Sequence, residues 1–185
     1  FFHNYRPISL LPCLSKVFER VVHEQLYTYF NSNRLLFHNQ HGFRPMHSTE
    51  SATLALVDHL FKLLDNDKLP VSIFMDLSKA FDTLDHTILL YKLSFYGLAN
   101  TPLNWFKSYL SGRMQYVEFN GFISSNSHLS VGVPQGSILG PLLFLIYVND
   151  INNASFFFNV LLYADDTTLT STLCFERQSS NDNVN

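Results

Sequence analysis

Charge is scarce in this chain. Only 15% of its 185 residues are Asp, Glu, Lys or Arg, and the formal net charge is −3. The basic excess of a free-standing nucleic-acid binder is therefore missing. That weakens the class without removing it, because a metal-dependent site for phosphate chemistry needs local acid. Cysteine is equally sparse. Cys13 and Cys174 lie far apart and form no CxxC, so neither a zinc ribbon nor a disulfide framework is indicated, and both read as reduced thiols. No signal peptide is visible. The longest apolar run, residues 138–148, contains Gly140 and Pro141 and falls short of the ~20 residues of a membrane helix. A soluble protein with no membrane partner is expected. Repeats, low-complexity tracts and linkers are absent too. The histidines, among them His38, His41, His47 and His86, show no metal-ligand spacing and read as surface or structural groups. Gly136-Ser137 lacks the GxSxG frame of a hydrolase.

What the chain has in quantity is apolar surface. Hydrophobic residues make up 46% of it, with 18 Phe, enough for one well-buried domain or a partner-covered face. It opens on Phe1 rather than Met, in a stretch that already reads as ordered, which suggests a piece of a longer chain.

The pattern alternates helices with strands irregularly, so the expected class is α+β or α/β with a small, mainly antiparallel sheet. Ser15 caps a helix to about residue 30, with Val17, Val21, Val22, Leu26 and Tyr29 on its apolar stripe. A second amphipathic helix starts near Ser48, with Ala52, Ala55, Leu56, Leu60 and Leu63 inward. Residues 71–75 suit a buried strand ending at Asp76. Helices follow over about 85–96, stopped by Gly97, and from Thr101-Pro102 to Gly112. Residues 116–119 and 129–133 read as strands, and 139–148 as an apolar helix. Residues 156–163 and 168–172 are β-prone runs that flank Ala164-Asp165-Asp166-Thr167, the outline of a hairpin with two carboxylates at its tip.

Alone, an Asp-Asp turn is more often a backbone device than a site, since Asp suits turn geometry. Asp76 changes the weighing. It ends an apolar strand where a carboxylate has no packing role. Should that strand lie beside the hairpin, three carboxylates meet at one end of a sheet, a hard-oxygen set suited to Mg2+. Two such ions could activate a hydroxyl and stabilise a leaving pyrophosphate.

Tyr163-Ala164-Asp165-Asp166 resembles the YxDD box of reverse transcriptases. Phe74-Met75-Asp76-Leu77-Ser78-Lys79-Ala80-Phe81-Asp82 resembles their first palm motif, and Gly132-Val133-Pro134-Gln135-Gly136-Ser137 their second. Asn4-Tyr5-Arg6-Pro7-Ile8-Ser9-Leu10-Leu11 and Gln40-His41-Gly42-Phe43-Arg44 are similar to finger motifs of non-LTR, LINE-type, jockey-like retrotransposons. The likeness runs in order from about Asn4 to Thr172.

The resemblance implies a right-hand polymerase palm with partial fingers: residues 1–70 mainly fingers, 71–175 mainly palm, and 176–185 a disordered tail. It implies an RNA-directed DNA polymerase with RNA template, DNA primer and dNTPs as partners. Two Mg2+ ions, for which Mn2+ can substitute, would be held by Asp76, Asp165 and Asp166, with Asp166 the weakest of the three assignments. Phe81, a core aromatic by composition alone, matches the steric gate that excludes a 2′-hydroxyl. Gln135 and Gly136 match the loop touching the nucleotide. Arg44, and less firmly Arg6, match triphosphate-binding finger positions, for which a guanidinium fork is suited. Asp82 reads as a cap for the following helix. The family's thumb and N-terminal endonuclease, parts of the parent polyprotein, have no counterpart here. The element's life cycle implies a nuclear or cytoplasmic location. Two rivals stay open: an RNA-templated RNA polymerase on the same palm, and a non-catalytic remnant that at most binds nucleic acid.

Overall fold

Residues 8–173 are described by the structure, a computed structural model. Arg6, Cys174 and the expected tail lie outside the described residues. The elements in chain order are α1 (Cys13–Ser32), α2 (Thr49–Leu64), β1 (Leu69–Asp76), α3 (His86–Phe95), α4 (Asn100–Leu110), β2 (Met114–Gln115), β3 (Glu118–Phe119), β4 (Phe122–Ile123), β5 (Ser127–His128), α5 (Gly140–Val148), β6 (Asn159–Tyr163) and β7 (Asp166–Leu173). This is an α+β fold with small antiparallel sheets. Among the described residues, no helix is long and apolar enough to cross a membrane.

The main sheet has the order β1-β7-β6 and is antiparallel throughout. Its β1 is an edge strand and stays exposed. Phe74 shows 71% of its surface, so the expected burial of residues 71–75 is corrected. The reason is topological: β7 pairs β1 on one side only, and α2 packs against the sheet's β1 and β6. Pro70, near the start of an edge strand, costs no central ladder bond.

The core lies among the helices. Phe30 of α1, Leu89 and Leu93 of α3, Phe106 and Leu110 of α4, and Leu142, Leu143, Phe144 and Ile146 of α5 form one buried cluster. An apolar sequence all round, such as that of α5, is the pattern of a fully enclosed helix.

Three helix starts show how local chemistry is chosen. Helix α1 begins at Cys13, ahead of Ser15, behind Pro12, whose φ of −57° is already helical. Ser15 is not its cap; its hydroxyl donates to Glu19. The inward face carries Glu19, Leu26 and Phe30, while Val17 and Val21 are exposed, so the expected stripe is rotated. Helix α2 starts as expected, with Ser48 and Ser51 exchanging side-chain and backbone bonds in a capping box, and its expected stripe turns inward. Helix α3 is capped by Asp85, whose carboxylate accepts from the Thr87 and Ile88 amides at 2.7 and 3.0 Å. Asp82 is thus not the cap.

Two strand expectations also change. In place of strands at 116–119 and 129–133, paired two-residue strands build a ribbon from Met114 to His128. Its tip, Asn120-Gly121, has φ of 50° and 80°, the two-residue turn that suits strand twist. Residues 131–135 run instead along the segment that follows β1. Strand β6 begins only at Asn159; Phe156 and Phe157 are exposed, and the pairing with β7 ends at Asn159–Thr170.

Candidate active site

The hairpin turn between β6 and β7 is Ala164-Asp165, closed by the Tyr163–Asp166 pair. Ala164 sits at φ 57°, an unfavourable region for a residue with a Cβ. Residues 39–42 supply what holds it there. The Gln40 carboxamide oxygen accepts from the Ala164 amide at 3.1 Å and from the Gly42 amide at 2.8 Å, and its nitrogen donates to the Ala164 carbonyl. The His41 amide donates to Leu162 O, and the Leu162 amide to Asn39 O, so this segment lies parallel to β6. Gly42 is pressed so closely on the turn that a Cβ would lie 2.0 Å from the Ala164 nitrogen. Only glycine fits there. Gln40, 3% exposed, opens the finger-like motif, but its hold on Ala164 has no signal in the sequence, because that partner is more than a hundred positions away.

Strand β1 lies beside β7 with Asp76 directly opposite Asp166, the adjacency required for the carboxylates to meet. Opposed residues of an antiparallel ladder share a face with Cβ atoms roughly 4.5–5.5 Å apart, and like charges so placed are unfavourable. Asp165 follows at the turn, half-buried, while Asp76 and Asp166 are exposed. Among the described residues the ion pairs are Lys62–Asp58 and Lys92–Asp150, and none of the three carboxylates has a cation or hydrogen-bond donor. Among the described residues, no three His, Cys, Asp or Glu side chains, these three carboxylates included, are grouped so as to hold a metal ion. An unneutralised cross-strand carboxylate pair with a third carboxylate adjoining suits a hard divalent cation completed by water and substrate oxygens.

Phe81 is half-buried between two rings, 5.9 Å from Phe43 and 5.1 Å from Phe144. It thus spans the core helix α5 and the 39–44 loop. Gln135 donates its carboxamide to both Asp82 oxygens at 2.9 and 3.0 Å, and its carbonyl accepts from the Ser9 amide. Gly136, at φ 99°, lies against the backbone of Ser9. Lys79, Asp82, His128 and Gln135 line one cleft of about 330 Å³.

Arg44 is turned onto its own loop. Its guanidinium donates to the carbonyls of Phe37 and Gln40 at 3.0 and 3.2 Å, and its buried Nε has no partner among the described residues. In this arrangement it ties the 37–44 loop to itself. His41 joins that loop to the start of α2 through Ser51 at 3.0 Å. Burial, then His47 and Arg44, push its imidazole below the ordinary 6.5. His86 donates to the Gly132 carbonyl at 2.7 Å.

Residues 2–178 match the family described as reverse transcriptase (RNA-dependent DNA polymerase). A probable RNA-directed DNA polymerase from transposon X-element of Drosophila melanogaster is 36% identical over 174 residues, covering 90% of this chain and 19% of the relative. The RNA-directed DNA polymerase from mobile element jockey of the same fly is 35% identical over 148 residues, covering 80% of this chain and 16% of the relative. The chain thus spans about a fifth or less of the length of these relatives. Among solved structures, apo telomerase from Candida tropicalis superposes with a TM-score of 0.64 at 16% identity, over 82% of this chain and 34% of that one. Telomerase from Candida albicans, solved with a telomeric RNA fragment, gives 0.59 at 14% identity, over 85% and 30%. The folds agree. With the family matched over nearly its whole length, this chain belongs to the reverse transcriptases.

Proposed function

We propose that this chain is the catalytic part of an RNA-directed DNA polymerase of a non-LTR retrotransposon, extending a DNA primer on an RNA template with dNTPs. The observation that carries the reading is the Asp76–Asp166 register pair beside the Asp165 turn, three carboxylates without a neutralising group among the described residues. In this reading the β1-β7-β6 sheet and α3 to α5 form most of a palm, and residues 1–70 are mainly fingers.

Asp76, Asp165 and Asp166 would hold two Mg2+, or Mn2+ in their stead, through carboxylate oxygens. The chemistry such ions supply when bound is activation of the primer 3′-hydroxyl and charge stabilisation on the departing pyrophosphate. The chain's own contribution is position. The turn clamp of Gln40 and Gly42 keeps two carboxylates at the sheet end without reorganisation. Phe81, fixed between Phe43 and Phe144, offers a rigid wall to the sugar edge and rejects a 2′-hydroxyl by clash. Gln135 and Gly136 bring backbone close to the nucleotide, and Arg44 serves the triphosphate side by bracing the loop that carries Phe43.

RNA-templated primer extension with Mg2+ or Mn2+ tests this, comparing the chain with an Asp165→Asn, Asp166→Asn double variant. Extension lost in the double variant supports the polymerase. Equal extension from both refutes the site. No extension from the folded wild-type chain favours a segment without catalysis of its own.

A further inference from the structure

The residue after Phe81 has a partnership that the polymerase reading leaves unused. Asp82 is half-buried, and both of its carboxylate oxygens accept from Gln135 Nε2. Around this contact two chain segments are zipped together. The Val133 amide donates to Phe81 O at 2.8 Å, the Gly132 amide donates to Leu84 O at 2.7 Å, and Asp85 bridges Val131. His86 closes the far end on the Gly132 carbonyl. Gly132, at φ 83°, lets the strands approach until a Cβ would stand 2.7 Å from the Asp82 carbonyl oxygen.

Phe81 therefore has its backbone fastened to Val133 and its successor's carboxylate fastened to Gln135. Its ring has packing partners on two sides, but the segment carrying it, residues 77–85, is a series of turns rather than a helix or strand. Turns keep their geometry only as well as their cross-links do. Among the described residues, the side-chain hydrogen bond that ties the chain next to Phe81 to the 131–135 segment is the Asp82–Gln135 pair. It is charge-assisted, and such bonds are about twice as strong as neutral ones.

We propose that Asp82 is a positioning residue for sugar selection: by clamping Gln135 it fixes the 81–82 backbone, and so the depth to which the Phe81 ring enters the nucleotide site. This rests on the polymerase reading and on Phe81 as the gate. A looser Asp82 would widen the space beside the ribose while leaving the three metal-binding carboxylates in place. The effect would appear as lost discrimination between ribo- and deoxynucleotides, not as a general loss of rate.

Two measurements on the whole chain test it. The first is amide hydrogen exchange, which needs no catalysis. Asp82→Ala should raise exchange at Val133 and Gly132 by roughly tenfold, the worth of one charge-assisted bond. The Leu143 amide, bonded to Leu139 O within the core, should not change. The second is RNA-templated incorporation of dATP against ATP, read as the ratio of kcat/KM values. Asp82→Ala should bring the two substrates closer by a comparable factor. Gln135→Glu, which opposes two carboxylates, should raise exchange at the same amides. The exchanged pair, Asp82→Asn with Gln135→Glu, restores a donor facing an acceptor and should recover the exchange protection.

Unchanged exchange at Val133, or incorporation that falls equally for both sugars, overturns the proposal. A swapped pair no better than either single variant also overturns it. If the wild-type chain incorporates neither nucleotide, the polymerase reading fails for this chain and the exchange experiment alone decides the clamp. If the wild type incorporates both equally, Phe81 is not a gate, which is a different failure.

Discussion

Glu19 offers a demanding test of the packing described above, because it is an acid in the core. The residue is 1% exposed on the inward face of α1, and no cation pairs with it among the described residues. Its oxygens instead accept from the Ile138 amide at 2.7 Å, the Leu139 amide at 3.4 Å, the Tyr109 hydroxyl at 3.1 Å and the Ser15 hydroxyl at 3.4 Å. Ile138 and Leu139 precede α5, so the carboxylate sits where the free amides and the helix dipole favour an anion. Burial, with this carboxylate beside it, pushes the Tyr109 phenol well above its ordinary value. Glu19→Ala deletes the acceptor and leaves the Ile138 amide and the Tyr109 hydroxyl orphaned in the interior, at about 1–3 kcal/mol each. Relief of the buried charge offsets part of that. A net loss of about 3 kcal/mol is expected, or a melting temperature lower by roughly 6–12 °C for a chain of this size. Glu19→Gln keeps one acceptor oxygen and should cost only about 1 kcal/mol. Urea unfolding of the three chains gives the answer. An Ala variant within about 0.5 kcal/mol of wild type would mean that Glu19 does not hold α1 to the start of α5.

Further outcomes follow from the same contacts. Gly42→Ala puts a methyl 2.0 Å from the Ala164 nitrogen, so overpacking should cost about 3 kcal/mol or more by urea unfolding, and the hairpin turn should lose its Gln40 bonds. His41 and His23 are both held below their ordinary 6.5, chiefly by burial, so the unfolded chain takes up protons first as pH falls. Stability should be level above about pH 7 and decline as pH drops below 6.5, and melting of His41→Gln should show a shallower decline. Asp76→Asn should raise stability without added metal, by about 0.2–1 kcal/mol, because it removes one of two opposed like charges.

The pairing of the Asp76 strand with the hairpin was more legible in the sequence than the packing of the scaffold. Asp76, Asp165 and Asp166 could be grouped because Asp76 ends an apolar strand, where a carboxylate has no packing role, and because all three fall in motifs that resemble those of reverse transcriptases. The adjacency of Asp76 and Asp166 appears in the register of β1 with β7. The exposure of β1 was not readable, since an apolar run of five residues looks the same in a central strand and at an edge. Ser15 was a plausible cap by residue type, but Pro12 starts the helix earlier, and Glu19 turns inward because amides from residues 138 and 139 wait for it. That is information from more than a hundred positions away. The Gln40 clamp and the Asp82–Gln135 pair escaped for the same cause: polar side chains in loops declare their partners only when the chain is folded. The ribbon at 114–128 was the one miss with a local signal, Asn120-Gly121, which reads directly as a two-residue turn.

The most direct test of the site is Mn2+ binding followed by the loss of the free-ion paramagnetic signal, in the wild-type chain and in an Asp76→Asn, Asp166→Asn double variant. The expected result is binding by the wild type that weakens at least roughly tenfold in the variant, with the variant as stable as the parent or more so without metal. Equal Mn2+ affinity in both chains would contradict the assignment of the opposed carboxylates as the metal-binding centre.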